Sequence, residues 1–130
     1  MIAGIGGTFL FSANAERVAA WYARVLGIAI DARPDDGYFG CEFEQREAAG
    51  ERRLTRCVWA IFQLEPGVEA QPHGVTINYR TDDLDALVAR IEGAGVTIAR
   101  RADYAHGRFA WVDDPEGRHV ELWQDTRLAP

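Results

Sequence analysis

The sequence predicts an α+β fold built from two copies of a βαβββ unit, and three observations carry that prediction. Two segments show helical apolar spacing: Val18, Ala19, Tyr22, Val25 and Leu26 in the first, Leu84, Leu87, Val88 and Ile91 in the second. One segment of strand character precedes each helix and three follow it. The two helix caps, Asn14 and Asp83, lie 83 − 14 = 69 residues apart, so the same order occurs twice within 130 residues. A ferredoxin-like βαββαβ arrangement has too few strands for eight such segments.

The elements follow from local chemistry. Residues 5–11 are apolar and rich in aromatic and β-branched side chains, which reads as a strand. Asn14 can accept a hydrogen bond from a free amide of the first helical turn, Glu16 suits the positive end of the helix dipole, and Gly27 is the stop. Residues 28–32 read as the second strand and Pro34-Asp35-Asp36-Gly37 as a turn. Phe39, Cys41 and Phe43 then alternate with acidic residues, a charged turn falls at 49–53, and the run 57–64 is the fourth strand.

After a linker at about 66–73, residues 75–80 read as a strand and Asp82 or Asp83 as the cap of the second helix. Burying its four apolar side chains would contribute about 1.5–3 kcal/mol each, so that face must be covered. Gly93 and Gly95 end the helix. Residues 96–100, 108–112 and 119–123 supply three more strands, with a turn at residues 113–117 between the last two. The length is that of one domain, residues 1–130, with module 1 at about 1–65 and module 2 at about 74–130.

Composition excludes several classes of function. Hydrophobic residues make up 48% and charged residues 26%, ordinary values for a globular chain. No apolar run approaches the roughly 20 residues a membrane helix needs, and the N-terminal residues lack a secretory pattern, so a cytoplasmic protein without membrane contact is expected. Fourteen basic residues against twenty acidic ones give a net charge of −6, with the arginines scattered, which argues against nucleic acid as a partner. Cys41 and Cys57 fall within predicted strands and are expected to be reduced, buried thiols.

Two motifs carry a family resemblance. The stretch from Phe109 to Trp123 includes the turn Asp114-Pro115-Glu116-Gly117 and the strand Val120-Glu121-Leu122. It is similar to the closing motif of the vicinal oxygen chelate superfamily, which includes glyoxalase I, bleomycin-resistance proteins and extradiol dioxygenases. Ala20-Trp21-Tyr22-Ala23-Arg24-Val25-Leu26-Gly27 resembles the first-helix signature of that superfamily. The resemblance covers nearly the whole chain. It implies two βαβββ modules forming a curled eight-stranded mixed sheet around a cavity, helices on the outer face, and a homodimer.

Metalloenzymes of the superfamily hold one divalent ion with four side chains, one from the first and one from the last strand of each module. Glu121 matches one of these positions. The first-strand positions fall on Gly7 and Thr76, and the fourth lies near Ile61, Phe62 or Gln63, none of which supplies a good ligand. No metal and no cofactor are therefore expected. His119 shares the Glu121 face, His73 lies near the fifth strand, and His106 falls in a loop read as exposed.

What remains is a face suited to a small organic ligand. Gly7, Phe9 and Phe11 are expected to point inward from the first strand, and Thr76, Asn78 and Arg80 from the fifth. Glu121, Trp123, Trp59, Gln63 and His119 complete the candidate set. Arg80 and Glu121 read either as groups that orient a ligand or as an internal ion pair. The leading expectation is metal-independent binding, with Trp123, Phe9 and Phe11 stacking on the ligand. The alternative is a lyase, isomerase or dioxygenase of the same superfamily, with Glu121 as catalytic base or as part of a reduced metal site. In a dry site beside tryptophan a carboxyl pKa would be expected to rise, which suits proton abstraction next to a carbonyl.

Overall fold

The computed structural model describes residues 7–46, 54–69, 76–105, 107–124 and 126. His73, His106 and the turn expected at 49–53 lie outside the described residues. The elements run β1 (Gly7–Ser12), α1 (Ala15–Leu26), β2 (Asp31–Arg33), a 3-10 turn (Pro34–Asp36), β3 (Tyr38–Arg46), β4 (Leu54–Gln63) and β5 (Ile77–Arg80). They continue with α2 (Leu84–Gly93), β6 (Arg100–Tyr104), β7 (Gly107–Asp113) and β8 (His119–Gln124). No helix among the described residues is long and apolar enough to cross a membrane.

The strands form two four-stranded mixed sheets of identical topology, β1-β4-β3-β2 and β5-β8-β7-β6. In each, the first strand pairs parallel with the last and the other neighbours run antiparallel. The fold is α+β, its eight strands divided four and four. Two compact units result: Met1–Ala20 with Ile28–Ala70, and Trp21–Gly27 with Gln71–Pro130. Helix α1 thus begins in the first unit and finishes in the second.

The duplication is visible in how the helices are anchored. Ser12 Oγ accepts the Asn14 amide at 2.9 Å, and Thr81 Oγ1 accepts the Asp83 amide at 3.3 Å. Asn14 and Asp83 in turn accept the amides of Arg17 and Ala86, satisfying free donors of the first turn. Gln63 and Gln124, at the ends of β4 and β8, accept the first helical amides, those of Ala15 at 2.9 Å and Leu84 at 2.8 Å. The caps keep the 69-residue offset. The glutamines are 124 − 63 = 61 apart, because the strands after α1 span eight more residues than those after α2.

Three strands differ from the sequence expectation, β4 by beginning at Leu54 instead of residue 57. Strand β2 begins at Asp31 instead of residue 28, and β6 begins at Arg100 instead of residue 96. Val96 is still part of the helix stop, its amide bonded to the Ile91 carbonyl at 3.2 Å, and the ladder with β7 starts only at Arg100 opposite Trp111. The apolar Val96 and Ile98 drew the expectation; the polar edge strand Arg-Arg-Ala-Asp-Tyr gave no apolar signal.

Core positions alternate as a half-buried sheet requires. Leu10, Phe39, Trp59 and Ile61 are buried in the first unit; Ala110, Val112, Val120 and Leu122 are buried in the second, as are Leu84, Val88 and Ile91 of α2. The turn after β7 is locked by Asp114. Its Oδ1 accepts the amides of Glu116 and Arg118 at 2.8 and 2.9 Å, and its Oδ2 accepts the Tyr22 hydroxyl at 2.9 Å and Arg118 Nη1 at 3.0 Å. Gly117, at φ 81°, closes that turn.

Candidate functional site

Strands β7 and β8 bury Ala110, Val112, Val120 and Leu122 on one face, so Phe109, Trp111, Glu121 and Trp123 stand on the other. The register completes this face: Asn78 lies opposite Glu121 and Arg80 opposite Trp123 on one side, Trp111 opposite Glu121 and Arg100 opposite Trp111 on the other.

Glu121 is at its centre. Oε1 accepts Asn78 Nδ2 at 2.7 Å, and Oε2 accepts the indole N–H of Trp111 at 2.9 Å. Because β8 lies between β5 and β7, the two donors reach the carboxylate from its two flanking strands. They fix its orientation without neutralising it. The ion pair considered between Arg80 and Glu121 is not formed; Arg80 is exposed and has no hydrogen bond or ion pair among the described residues.

Beside the carboxylate runs a row of near-parallel rings. Trp111 and Phe109 are 5.7 Å apart at 14°, and Phe109 and Trp123 are 6.3 Å apart at 17°. The Arg100 guanidinium lies 4.1 Å above the Trp111 ring and donates to the Tyr104 hydroxyl at 3.3 Å. Gly107, at φ 150°, is where the Trp123 indole rests; a Cβ at that position would fall well inside contact distance of the indole.

The structure brings Asn78, Arg80, Glu121 and Trp123 onto one face, with exposed Thr76 immediately before β5. His119 lies at the outer end of β8, 65% exposed, its Nδ1 2.6 Å from Asp113 Oδ1. Trp111, Phe109 and Arg100 are the face residues that sequence reasoning missed. The alternation of Phe109 and Trp111 with Ala110 and Val112 carried the signal, but needed the hairpin register to be used. Arg100 was hidden by the displaced β6.

In the first unit, Phe9 and Phe11 are each 50% exposed and pack on Phe62 at ring distances of 5.4 and 5.9 Å, with Tyr38 at 5.7 Å from Phe62. Trp59 and Gln63 do not join them. The pairings Phe9 with Ala60 and Phe11 with Phe62 put Trp59 and Gln63 on the opposite face of the sheet. Trp59 is core at 2% exposure, and Gln63 is committed to α1, donating to the Ala13 carbonyl at 2.6 Å as well as capping Ala15. Trp59 and Gln63 were expected on the ligand face, and the register of β4 against β1 places them on the other.

The donor set does not fit the divalent metal of the superfamily. The offsets of 69 and 61 make Ala60 the counterpart of Glu121, as Phe9 with Ala60 mirrors Asn78 with Glu121, so the fourth position is neither Ile61, Phe62 nor Gln63. Gly7, Ala60, Thr76 and Glu121 offer one carboxylate and one hydroxyl, and both carboxylate oxygens already accept hydrogen bonds. Among the described residues no three His, Cys, Asp or Glu side chains gather as a metal-holding group. Cys41 and Cys57 are free thiols, half-buried where full burial was expected; partial burial, then the neighbouring Cys57, push the Cys41 thiol up, away from the reactive thiolate.

Solved structures share the fold at low sequence identity. TnmS3, an antibiotic binding protein from Streptomyces sp. CB03234, aligns at TM-score 0.66 and 21% identity over 96% of this chain and 98% of its own. A glyoxalase/bleomycin resistance protein/dioxygenase from Nocardioides aligns at 0.65 and 18% over 96% and 85%. Lactoylglutathione lyase from Agrobacterium tumefaciens aligns at 0.66 and 14% over 95% of each chain. No curated protein matches the sequence. The pattern of the glyoxalase-like domain matches residues 8–123. With that match spanning both βαβββ modules, the chain belongs to the glyoxalase-like domain family of the vicinal oxygen chelate superfamily.

Proposed function

We propose that this protein binds a small, planar organic molecule on the β5-β8-β7-β6 face without a metal ion. The observation that carries the reading is Glu121, held by Asn78 and Trp111 beside the ring row of Trp111, Phe109 and Trp123. Stacking surface with a few fixed polar groups is the make-up of a small-molecule site. Trp111 and Trp123 supply the stacking edges, since Phe109 is buried, and Asn78, Glu121 and Arg80 orient polar groups of the ligand. Thr76 and His119 border this face, and Phe9 and Phe11 offer a further aromatic contact surface in the first unit. TnmS3, an antibiotic binding protein of the same fold, supports the same class of ligand.

The catalytic alternative, with Glu121 as base, would use the lone pairs that its two hydrogen bonds leave open; the ring row beside it favours binding, which needs stacking surface, over proton transfer, which does not. We further propose a cytoplasmic homodimer, as the family resemblance implies, in which a second copy covers edges left by the two four-stranded sheets. A thermal-shift and calorimetric screen of tricyclic and tetracyclic aromatic compounds tests the binding reading. Saturable one-to-one binding, weakened at least tenfold by Trp123→Ala in a folded protein, is the expected result. Absence of any binder, or binding indifferent to Trp111 and Trp123, overturns it. Light scattering at micromolar concentration tests the dimer, and a monomeric mass rejects it.

A further inference from the structure

Several carboxylates among the described residues find cations, and exposed ones such as Glu16 and Glu92 rely on water instead. Asp85 bonds Arg101 and Arg108, Asp31 bonds Arg33, Glu42 lies 3.6 Å from Arg56, and the buried Asp114 holds Arg118. Glu121 differs. It stands amid aromatic rings with two neutral N–H donors and no cation within ion-pair distance among the described residues, although two arginines share its face. Arg100 places its guanidinium over the Trp111 ring instead. The ring row therefore already accepts one planar, delocalised cation, and the carboxylate next to it lacks one.

From this juxtaposition we infer that the ligand presents a planar, delocalised cationic nitrogen group, such as an amidinium or a protonated amino-heteroaromatic ring, to Glu121 and the adjoining tryptophans. The inference rests on the ligand-binding reading above and specifies its chemistry. Each carboxylate oxygen retains a lone pair beyond the bond it accepts, so N–H donors on the ligand can be received without displacing Asn78 or Trp111. The Trp123 ring, over which Arg100 does not lie, attracts such a cation through its π-electrons. Arg80, free of acidic partners among the described residues, suits an acceptor atom elsewhere on such a ligand.

Titration calorimetry with two tricyclic probes of similar area tests the assignment: proflavine, a planar cation at neutral pH, and anthraquinone-2-sulfonate, a planar anion. At fixed ionic strength proflavine should bind at least tenfold more tightly, and Glu121→Gln should bring the two within about threefold. Glu44→Gln, a change of equal charge at an exposed residue of β3, should leave the preference intact, which separates a local carboxylate from the overall negative charge. If neither probe binds, the planar-ligand reading itself falls, and this inference with it. If both bind equally, or the anion binds better, planar binding stands and the cationic assignment is overturned. A preference that persists in folded Glu121→Gln, or vanishes in Glu44→Gln, overturns the role given to Glu121. The wild-type preference needs no variant, so the test survives a variant that fails to fold.

Discussion

The indole N–H of Trp111 donates to Glu121 Oε2 at 2.9 Å, and this bond ties the ring row of β7 to the carboxylate of β8. Trp111→Phe keeps an aromatic ring and removes the donor. Stability should fall by about 1–2 kcal/mol, the range for a hydrogen bond to a charged group that water can partly replace. Urea denaturation measures it. An unchanged midpoint and slope would show that the bond contributes nothing in solution.

Burial, reinforced by Tyr79 and Asp114, pushes the Tyr22 phenol far above its ordinary value of 10.0. Tyr22 in the unfolded chain loses its proton near pH 10 while the folded form keeps it, so the unfolded state binds fewer protons and stability falls as pH rises past 10. Tyr22→Phe should cost about 1–2 kcal/mol at pH 7 through the lost bond to Asp114, and should flatten the alkaline decline. Denaturation midpoints at pH 8 and 10.5 decide; equal slopes for the two proteins would remove Tyr22 from the explanation.

Asp114→Ala removes the acceptor of four hydrogen bonds and takes from the 7%-exposed Arg118 side chain its buried carboxylate partner. Breaking a buried pair from one side costs about 3–5 kcal/mol, a large part of the stability of a small domain. Soluble expression with a melting temperature close to that of the wild type would contradict this.

Asp85 receives hydrogen bonds first from Arg108 and then from Arg101, which hold its carboxyl down to about 2. Its stabilising contribution is present above the ordinary carboxylate value of 3.8 and is lost as pH falls towards 2. Carbon-detected NMR titration should place the Asp85 midpoint near that value, and Arg108→Met should move it upwards. A midpoint of 3.8 in the wild type contradicts the network.

Gly107→Ala introduces a Cβ at φ 150° against the Trp123 indole, so both backbone and ring must shift. A loss of about 1–3 kcal/mol is expected, with a change in near-ultraviolet circular dichroism as the ring row is disturbed. Wild-type stability and an unaltered spectrum would mean that Trp123 rests elsewhere.

Much of the fold is legible in the sequence. The caps Asn14 and Asp83, the stop at Gly27 and the turn Asp114-Pro115-Glu116-Gly117 are local hydrogen-bonding and dihedral requirements, and each stands as the letters imply. That Gly7 has no donor side chain and Thr76 only a neutral hydroxyl could also be read directly. Even the pairing of Trp111 with Glu121 was within reach, because the short turn between β7 and β8 fixes which residues face each other across that hairpin.

By itself, then, the sequence determined the duplicated βαβββ order, the helix ends and the aromatic character of the Glu121 strand, all consequences of contacts among near neighbours in the chain. Tertiary structure alone decided the parallel registers. Whether Phe9 lies beside Ala60 or beside Trp59 depends on how a strand some fifty residues away settles, and a shift of one residue exchanges the two faces. That phase sent Trp59 to the core and Gln63 to the helix cap. The same long-range pairing set Asn78 beside Glu121, and the β6 ladder carried Arg100 onto Trp111, because side chains distant in sequence meet only when backbone hydrogen bonds elsewhere fix their strands.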